Sequence, residues 1–250
     1  MTEPQASFSE FAGVYDRFMH YIDYPGWVRY ACEILNLYNI RGRKLLDIAC
    51  GTGTCALLFA EKGFEVTGID ASQEMIAQAL EKAGSDKHAA LFQQQDMRDF
   101  RLGLKFNIAT SFYDSINYLL TAEDVGRAFA CAFESLEEGG AFIFDMNTEY
   151  ALSEIWGSKT MKRNEGGVSS VWKNEYDPLT KICTLCLTWS TRENGKNREH
   201  VEIHRERAYG NAEVKSLLEK AGFKRIIIYA HPTFSPPFEL TARIMVVALK

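Results

Sequence analysis

The sequence contains no apolar run near the eighteen or so residues that cross a bilayer. Its first nine residues lack the basic start and apolar stretch of a secretory leader. A cytoplasmic protein with no membrane partner is therefore expected. Positive charge is not in excess either, since 28 Lys and Arg stand against 33 Asp and Glu for a formal net charge of −5. That balance argues against binding nucleic acid through bulk charge. The six cysteines, Cys32, Cys50, Cys55, Cys131, Cys183 and Cys186, lie scattered among apolar residues rather than in a dense disulfide framework, and read as reduced thiols. Internal repeats and low-complexity tracts are absent. What remains is a 250-residue chain, 46% hydrophobic and 12% aromatic, which suits one large α/β domain or two small ones and excludes wholesale disorder.

Apolar residues recur at helical spacing from Tyr15 to Leu37, with Tyr24-Pro25-Gly26 predicting a break between two short helices. Compact apolar runs then alternate with helical stretches. Strands are expected at Lys44 to Cys50, Phe64 to Ile69, Ala90 to Gln94, Phe106 to Phe112 and Ala141 to Met146, with helices at Thr54 to Lys62, Ser72 to Ala83 and Ala122 to Leu136. This alternation predicts a parallel sheet covered on both faces. Between Gly166 and Tyr209 the pattern changes to three period-two segments, Val168 to Tyr176, Lys181 to Thr191 and Asn197 to Arg207, divided by Asp177-Pro178 and Glu193-Asn194-Gly195. A helix over Asn211 to Ala221 and strands at Lys224 to Ala230 and Ala242 to Leu249 complete the chain. Residues 231–241 are too short and proline-rich for a crossover helix, so the last strand should run antiparallel to its neighbour. The expected architecture is a doubly wound, seven-stranded, mostly parallel α/β sheet with an inserted three-stranded antiparallel sheet. Residues 1–40 form an N-terminal helical cover, 41–150 and 211–250 the Rossmann-like core, and 151–210 the insertion.

Gly51-Thr52-Gly53 closes the first strand and opens a helix, Ala56 completes a G-x-G-x-x-A pattern, and Asp70 follows about twenty residues on. Glycine lets backbone approach a ligand, and an acidic residue at the end of the second strand can accept both hydroxyls of a ribose. Together they point to an adenosine-type ligand. Asp47, just before the turn, would repel a pyrophosphate but suits a cationic amine or sulfonium. The antiparallel last strand also departs from the all-parallel dinucleotide fold.

Leu45-Leu46-Asp47-Ile48-Ala49-Cys50-Gly51-Thr52-Gly53 resembles the first motif of the class I S-adenosylmethionine-dependent methyltransferases. Gly68-Ile69-Asp70-Ala71-Ser72 looks like the second motif, with Asp70 in the ribose position. Gln95-Asp96-Met97 looks like the third, with Asp96 toward the adenine amino group and the Met97 backbone toward a ring nitrogen. Phe112-Tyr113-Asp114-Ser115-Ile116-Asn117-Tyr118 falls where the fourth motif borders the methionine moiety and substrate. Phe11-Ala12-Gly13-Val14-Tyr15-Asp16 is similar to the lead helix of small-molecule members, with Tyr15 closing over the sulfonium. The resemblance implies S-adenosylmethionine as cofactor, S-adenosylhomocysteine as product, and Tyr15, Asp47, Ala49, Gly51, Gly53, Asp70, Ala71, Met75, Asp96, Met97, Phe112 and Asn117 around it.

Transfer from a sulfonium demands alignment more than activation, and a base is needed only where the nucleophile arrives protonated. Tyr113 and His231 are the candidate bases, both at strand ends on the pocket rim. His200, Glu202, His204 and Glu206 share one face of an inserted strand, read as a solvated face rather than a metal site. Cys183 and Cys186 point to opposite faces of their strand, which favours packing over redox or zinc chemistry. The expected function is methyl transfer to nitrogen or oxygen of a small molecule by a monomer or homodimer, with the insertion as lid. Tyr113-Asp114-Ser115 lacks the Asn/Asp-Pro-Pro-aromatic signature of exocyclic base methylation. The alternatives are an RNA-modifying methyltransferase using Arg41, Arg43, Lys44, Lys159, Lys162 and Arg163, a non-catalytic cofactor-binding module, and a nicotinamide oxidoreductase.

Overall fold

A computed structural model describes residues 8–84, 90–165, 168–193 and 196–250. Two helices lead, α1 (Ala12–Phe18) and α2 (Tyr24–Leu37). The break lies ahead of Tyr24-Pro25-Gly26 rather than at it. Pro25 sits in the first turn of α2, where its missing N–H is no loss, and Asp23 Oδ1 caps that turn by accepting from the Gly26 N–H at 2.9 Å.

Alternation follows: β1 (Lys44–Ile48), α3 (Thr54–Glu61), β2 (Glu65–Asp70), α4 (Gln73–Ala83), β3 (Leu91–Gln94), β4 (Phe106–Ser111), a 3-10 turn (Ser115–Tyr118), α5 (Ala122–Ser135) and β5 (Leu136–Asn147). After the insertion come α6 (Asn211–Ala221), β10 (Arg225–Ala230) and β11 (Arg243–Leu249). The seven strands line up as β10-β11-β5-β4-β1-β2-β3, with β11 antiparallel to both neighbours. Successive strand residues feed opposite layers. Leu46, Phe142, Phe144 and Val246 pack with α5 and α6, while Leu45, Ala141, Ile143 and Val247 pack with α2, α3 and α4. Burial on both faces leaves ligands only the edge where the strands end.

The inserted sheet has four strands, β6 (Thr160–Glu165), β7 (Val168–Asp177), β8 (Ile182–Glu193) and β9 (Lys196–Arg207), paired antiparallel in that order. This corrects the expected three. Thr160–Glu165 reads TMKRNE, a polar edge strand without the alternation that a half-buried strand shows. A π-helical turn, Ala151–Trp156, leads into the insertion and had no sequence signal. The inner face of the sheet packs on the N-terminal segment. Phe11 and Phe18 meet Leu187 and Trp189 in a separate apolar cluster.

Candidate active site

A cavity of about 420 Å³ opens at the carboxyl ends of the parallel strands, between the inserted sheet and the N-terminal segment. One end of it is made of loops. After β1 the chain takes left-handed backbone at Ala49 (φ 57°), Gly51 (φ 54°) and Gly53 (φ 76°) before α3 begins. At Gly53 a Cβ would also stand 2.7 Å from the Phe92 ring and 3.0 Å from Ala79 Cβ, so the position excludes larger residues twice over. Asp70 fastens this loop: its Oδ2 accepts from the Gly51 N–H and its Oδ1 from the Ser72 N–H, both at 2.9 Å. Burial pushes the Asp70 carboxyl up, and those two N–H groups oppose the shift.

Asp47 is buried at the cavity floor, where Thr110 Oγ1 donates to its Oδ1 at 2.7 Å. Burial and the neighbouring Asp70 carboxylate push it up to about 7, against the Thr110 bond. A hydroxyl and a second acid lie beside it, and it makes no ion pair among the described residues. Such a carboxylate is complementary to a cation entering from the cavity. Asp96 accepts from the Arg98 guanidinium, with Nη2 at 2.6 Å, and from the Arg98 backbone N–H at 2.9 Å, which holds its carboxyl below the usual range. Ala71, Met75, Met97 and Phe112 complete this wall.

The N-terminal helix is tied to the loop by a polar lock that sequence reading missed. Thr52 Oγ1 donates to Asp16 at 2.7 Å, and Lys82 Nζ meets Asp16 at 2.7 Å and Thr54 Oγ1 at 2.7 Å. Tyr15 is thereby held over the cavity, its phenol buried beside Tyr24. Ser72 caps α4 by accepting from the Met75 N–H at 3.0 Å, and its hydroxyl also donates to the Phe8 carbonyl at 2.7 Å.

The opposite end of the cavity is built from side chains. Tyr113 (φ 62°) and Asp114 (φ 56°) form a left-handed turn after β4, and their N–H groups donate to Asp145 at 2.5 and 3.0 Å. Arg243 from β11 bridges Asp145 and Asp114, the latter at 2.7 Å, and faces the Tyr113 ring. Glu206 from β9 enters the same wall, its Oε2 accepting from Asn147 Nδ2 at 2.8 Å.

The β9 face expected in solvent is instead buried, with His200, Glu202 and His204 at 6%, 0% and 3% exposure. The N-terminal segment covers it. Glu202 accepts from the Phe8, Ser9 and Phe11 N–H groups at 2.9, 3.1 and 2.9 Å and from the Ser9 hydroxyl at 3.0 Å. His204 stands 3.3 Å from Glu202, and His200 Nδ1 lies 2.5 Å from Glu10. These bonds could not be anticipated from β9, because its carboxylate is satisfied by backbone nearly two hundred residues away. Cys183 faces the cavity, with Cys186 on the strand's other side and less buried.

Of the residues singled out in the sequence, Tyr15, Asp47, Ala49, Gly51, Asp70, Ala71, Met75, Asp96, Met97, Phe112 and Tyr113 line the cavity. Gly53, Asn117 and His231 do not. Asn117 is fully buried and staples the fold, donating to the Asn147 and Arg207 carbonyls at 3.1 and 2.9 Å and accepting from the Asn147 N–H. His231 lies tilted against Trp27 at 4.3 Å between ring centres and edge-on to Tyr30, outside the cavity lining, and burial with Arg243 nearby depresses it to about 4. Tyr113 reaches the cavity, but burial and the Asp114 charge push its phenol far up, so it stays a donor.

A glycine loop fastened by an acid at the end of β2, beside a buried carboxylate that makes no ion pair among the described residues, fits S-adenosylmethionine. Residues 45–140 match the methyltransferase domain family. The chain belongs to the S-adenosylmethionine-dependent methyltransferases of class I and uses that cofactor. It is 33% identical over 246 residues to "Putative methyltransferase GWCH70_2453" of Geobacillus sp. (strain WCH70), covering 98% of this chain and 100% of that one. It is 34% identical over 160 residues, 62% of this chain and 65% of the other, to a dTDP-3-amino-3,4,6-trideoxy-alpha-D-glucopyranose N,N-dimethyltransferase of Streptomyces venezuelae. An S-adenosylmethionine-dependent methyltransferase from Clostridium acetobutylicum ATCC 824 superposes with a TM-score of 0.86 at 26% identity, over 96% of this chain and 97% of that one. No helix among the described residues is long and apolar enough to cross a membrane.

Proposed function

We propose that this enzyme transfers a methyl group to the nitrogen of a small-molecule amine by in-line displacement. The reading rests on the end of the cavity away from the glycine loop, whose wall carries Asp114 and Glu206 beside the Arg243 guanidinium, with Asp145 fully buried behind them. That excess of acid is complementary to an amine and offers little to a neutral hydroxyl. The S. venezuelae relative, named for an amino sugar, methylates nitrogen, which supports the same reading.

S-adenosylmethionine supplies, when bound, a methyl on a good leaving group. The chain's own work is then positional. Asp70, holding the glycine loop, would take the ribose hydroxyls. Asp47 would face the cationic portion, and Met75, Met97 and Asp96 the adenine. The phenols of Tyr15 and Tyr113 close the cavity around the reacting atoms as neutral donors. Alignment of this kind supplies on the order of 7–11 kcal/mol of a barrier. In this proposal residues 41–150 and 211–250 hold the donor, while 1–40 and 151–210 cover the acceptor and exclude water.

A large polymer is disfavoured by the same cover. Arg163, one of the cations that an RNA site would need, is stacked against Tyr21 and Trp172 and donates to the Tyr21 hydroxyl at 2.7 Å; Lys159 donates to the Glu154 carbonyl at 2.6 Å. The test is methyl transfer from methyl-labelled S-adenosylmethionine to a panel of amino sugar nucleotides, amino acids, arylalkylamines and their hydroxyl counterparts. Label on nitrogen is expected. Transfer confined to hydroxyl acceptors or to RNA would overturn the proposal.

A further inference from the structure

Glu206 is a carboxylate for which the cofactor has no use, placed on the wall of the cavity away from the glycine loop. It comes from β9, opposite Cys183 of β8, and is held by Asn147 at the end of β5. Asn147 is itself fixed, because Asn117 clamps its backbone N–H and carbonyl at 2.9 and 3.1 Å. One carboxylate oxygen, Oε2, is therefore anchored through a chain of buried amides. The other, Oε1, accepts no hydrogen bond among the described residues. A carboxylate fastened at one oxygen and left open at the other, inside a cavity, is the arrangement a proton acceptor needs.

We propose that Glu206 anchors the acceptor's ammonium group and takes its proton before methyl transfer, an assignment that rests on the amine reading above. An ammonium nitrogen has no lone pair to attack with. The N–H bond breaks, the proton passes to Glu206 Oε1, and the electron pair stays on nitrogen. The freed pair then forms the N–C bond as the C–S bond breaks with its electrons left on sulfur. The proton leaves Glu206 to water when the product departs.

The surroundings suit this exchange. The charged and titratable groups facing Glu206 are Asp114 on the turn after β4, Asp145 on β5, Arg243 on β11, Tyr118 on the 3-10 turn, and Cys183 on β8. Burial and the two aspartates push the Glu206 carboxyl up to about 8, while Asn147 and Arg243 oppose them. The empty cavity therefore keeps Glu206 protonated at neutral pH; an ammonium laid against it favours the carboxylate again, so acid and amine share the proton far more evenly than with an ordinary glutamate. Tyr113 and Tyr118, pushed the other way from neutrality, hold their protons and cannot compete for the role.

The test uses the full chain saturated with S-adenosylhomocysteine and a matched pair of probes, 2-phenylethylamine and 2-phenylethanol, which fill an aromatic-lined cavity alike and differ in charge. Their affinities are measured by ligand-observed NMR in the wild type and in Glu206→Gln. At least a tenfold preference for the amine is expected in the wild type, and near-equal affinities in the variant. An amine preference of the same size in both proteins, or none in the wild type, would overturn the assignment. S-adenosylhomocysteine affinity should match within twofold and so report that Glu206→Gln is folded; Glu206→Asp, which keeps the charge, should restore part of the preference even if the glutamine variant fails to fold. With any amine methylated in the acceptor panel, Glu206→Gln should lower kcat at least 100-fold and abolish the acidic limb of its pH profile. Amine methylation with unchanged kcat and pH profile would sink Glu206 alone, whereas hydroxyl-only transfer would sink the amine reading itself.

Discussion

The glycine-loop end of the cavity is assembled from consecutive strand ends, with Asp47 on β1, Asp70 on β2 and Asp96 just beyond β3, whereas the opposite end draws Asp114, Glu206 and Arg243, with Asp145 buried behind them, from four separate segments. The glycine-loop end offers mainly backbone, a left-handed loop whose Gly51 N–H is held by Asp70. The opposite end offers buried charge. On the proposed reading, the constant chemistry of the cofactor falls on the local scaffold, and the chemistry that differs among methyltransferases falls where the inserted sheet, the lead segment and the last strand converge, so that the acceptor could change without disturbing the donor.

That contrast predicts where damage should spread. Arg243→Met should have the largest effect, because it leaves Asp114 and Asp145 buried together without their cation. Breaking a buried pair in this way costs about 3–5 kcal/mol. The loss should appear as a lowered denaturation midpoint with unchanged slope. A variant as stable as the parent would mean that the acid cluster is not held by Arg243. Asp70→Ala should act on the other half: S-adenosylmethionine binding should weaken roughly 100-fold, about 2.7 kcal/mol, since both the ribose partner and the acceptor for the Gly51 and Ser72 N–H groups are removed. Calorimetry decides it, and unchanged affinity would misplace the cofactor.

The same contrast explains what the sequence could disclose. Strands β1, β2, β4 and β5 were legible because burial on both faces leaves an apolar run, and the glycine loop because close packing against Phe92 forbids a side chain at Gly53. The inward-pointing carboxylates Asp47 and Asp70 stood out against such apolar runs. β6 was missed because a polar edge strand has no such contrast. The β9 face was misread because Glu202 is neutralised by the N–H groups of residues 8, 9 and 11, and backbone donors leave no trace in residue type. His231 looked like a rim base, yet Trp27 and Tyr30 of α2 cover it, and only packing between distant segments reveals this. Pairings such as Arg243 with Asp145, separated by 98 positions, exist only once the sheet has formed.

The mildest effect expected is also the one that separates binding from folding. Asp47 is pushed from an ordinary 3.8 to about 7 by burial, so the folded chain prefers it protonated. Its contribution is fully present below about pH 4, the range where the unfolded chain also protonates, and is lost as pH rises through 7. Above that the folded protein carries a buried charge that the unfolded chain would place in water. Asp47→Asn keeps the acceptor for Thr110 and removes that charge. Without cofactor, the variant should be more stable than the parent at pH 8 and nearly equal to it at pH 4. With S-adenosylmethionine present the order should reverse, because the carboxylate that destabilises the empty cavity is the one a cation would neutralise. Thermal melts at both pH values, with and without cofactor, supply the four numbers needed; a stability difference between variant and parent that is independent of pH would show that Asp47 titrates as an ordinary acid and that its burial serves packing alone.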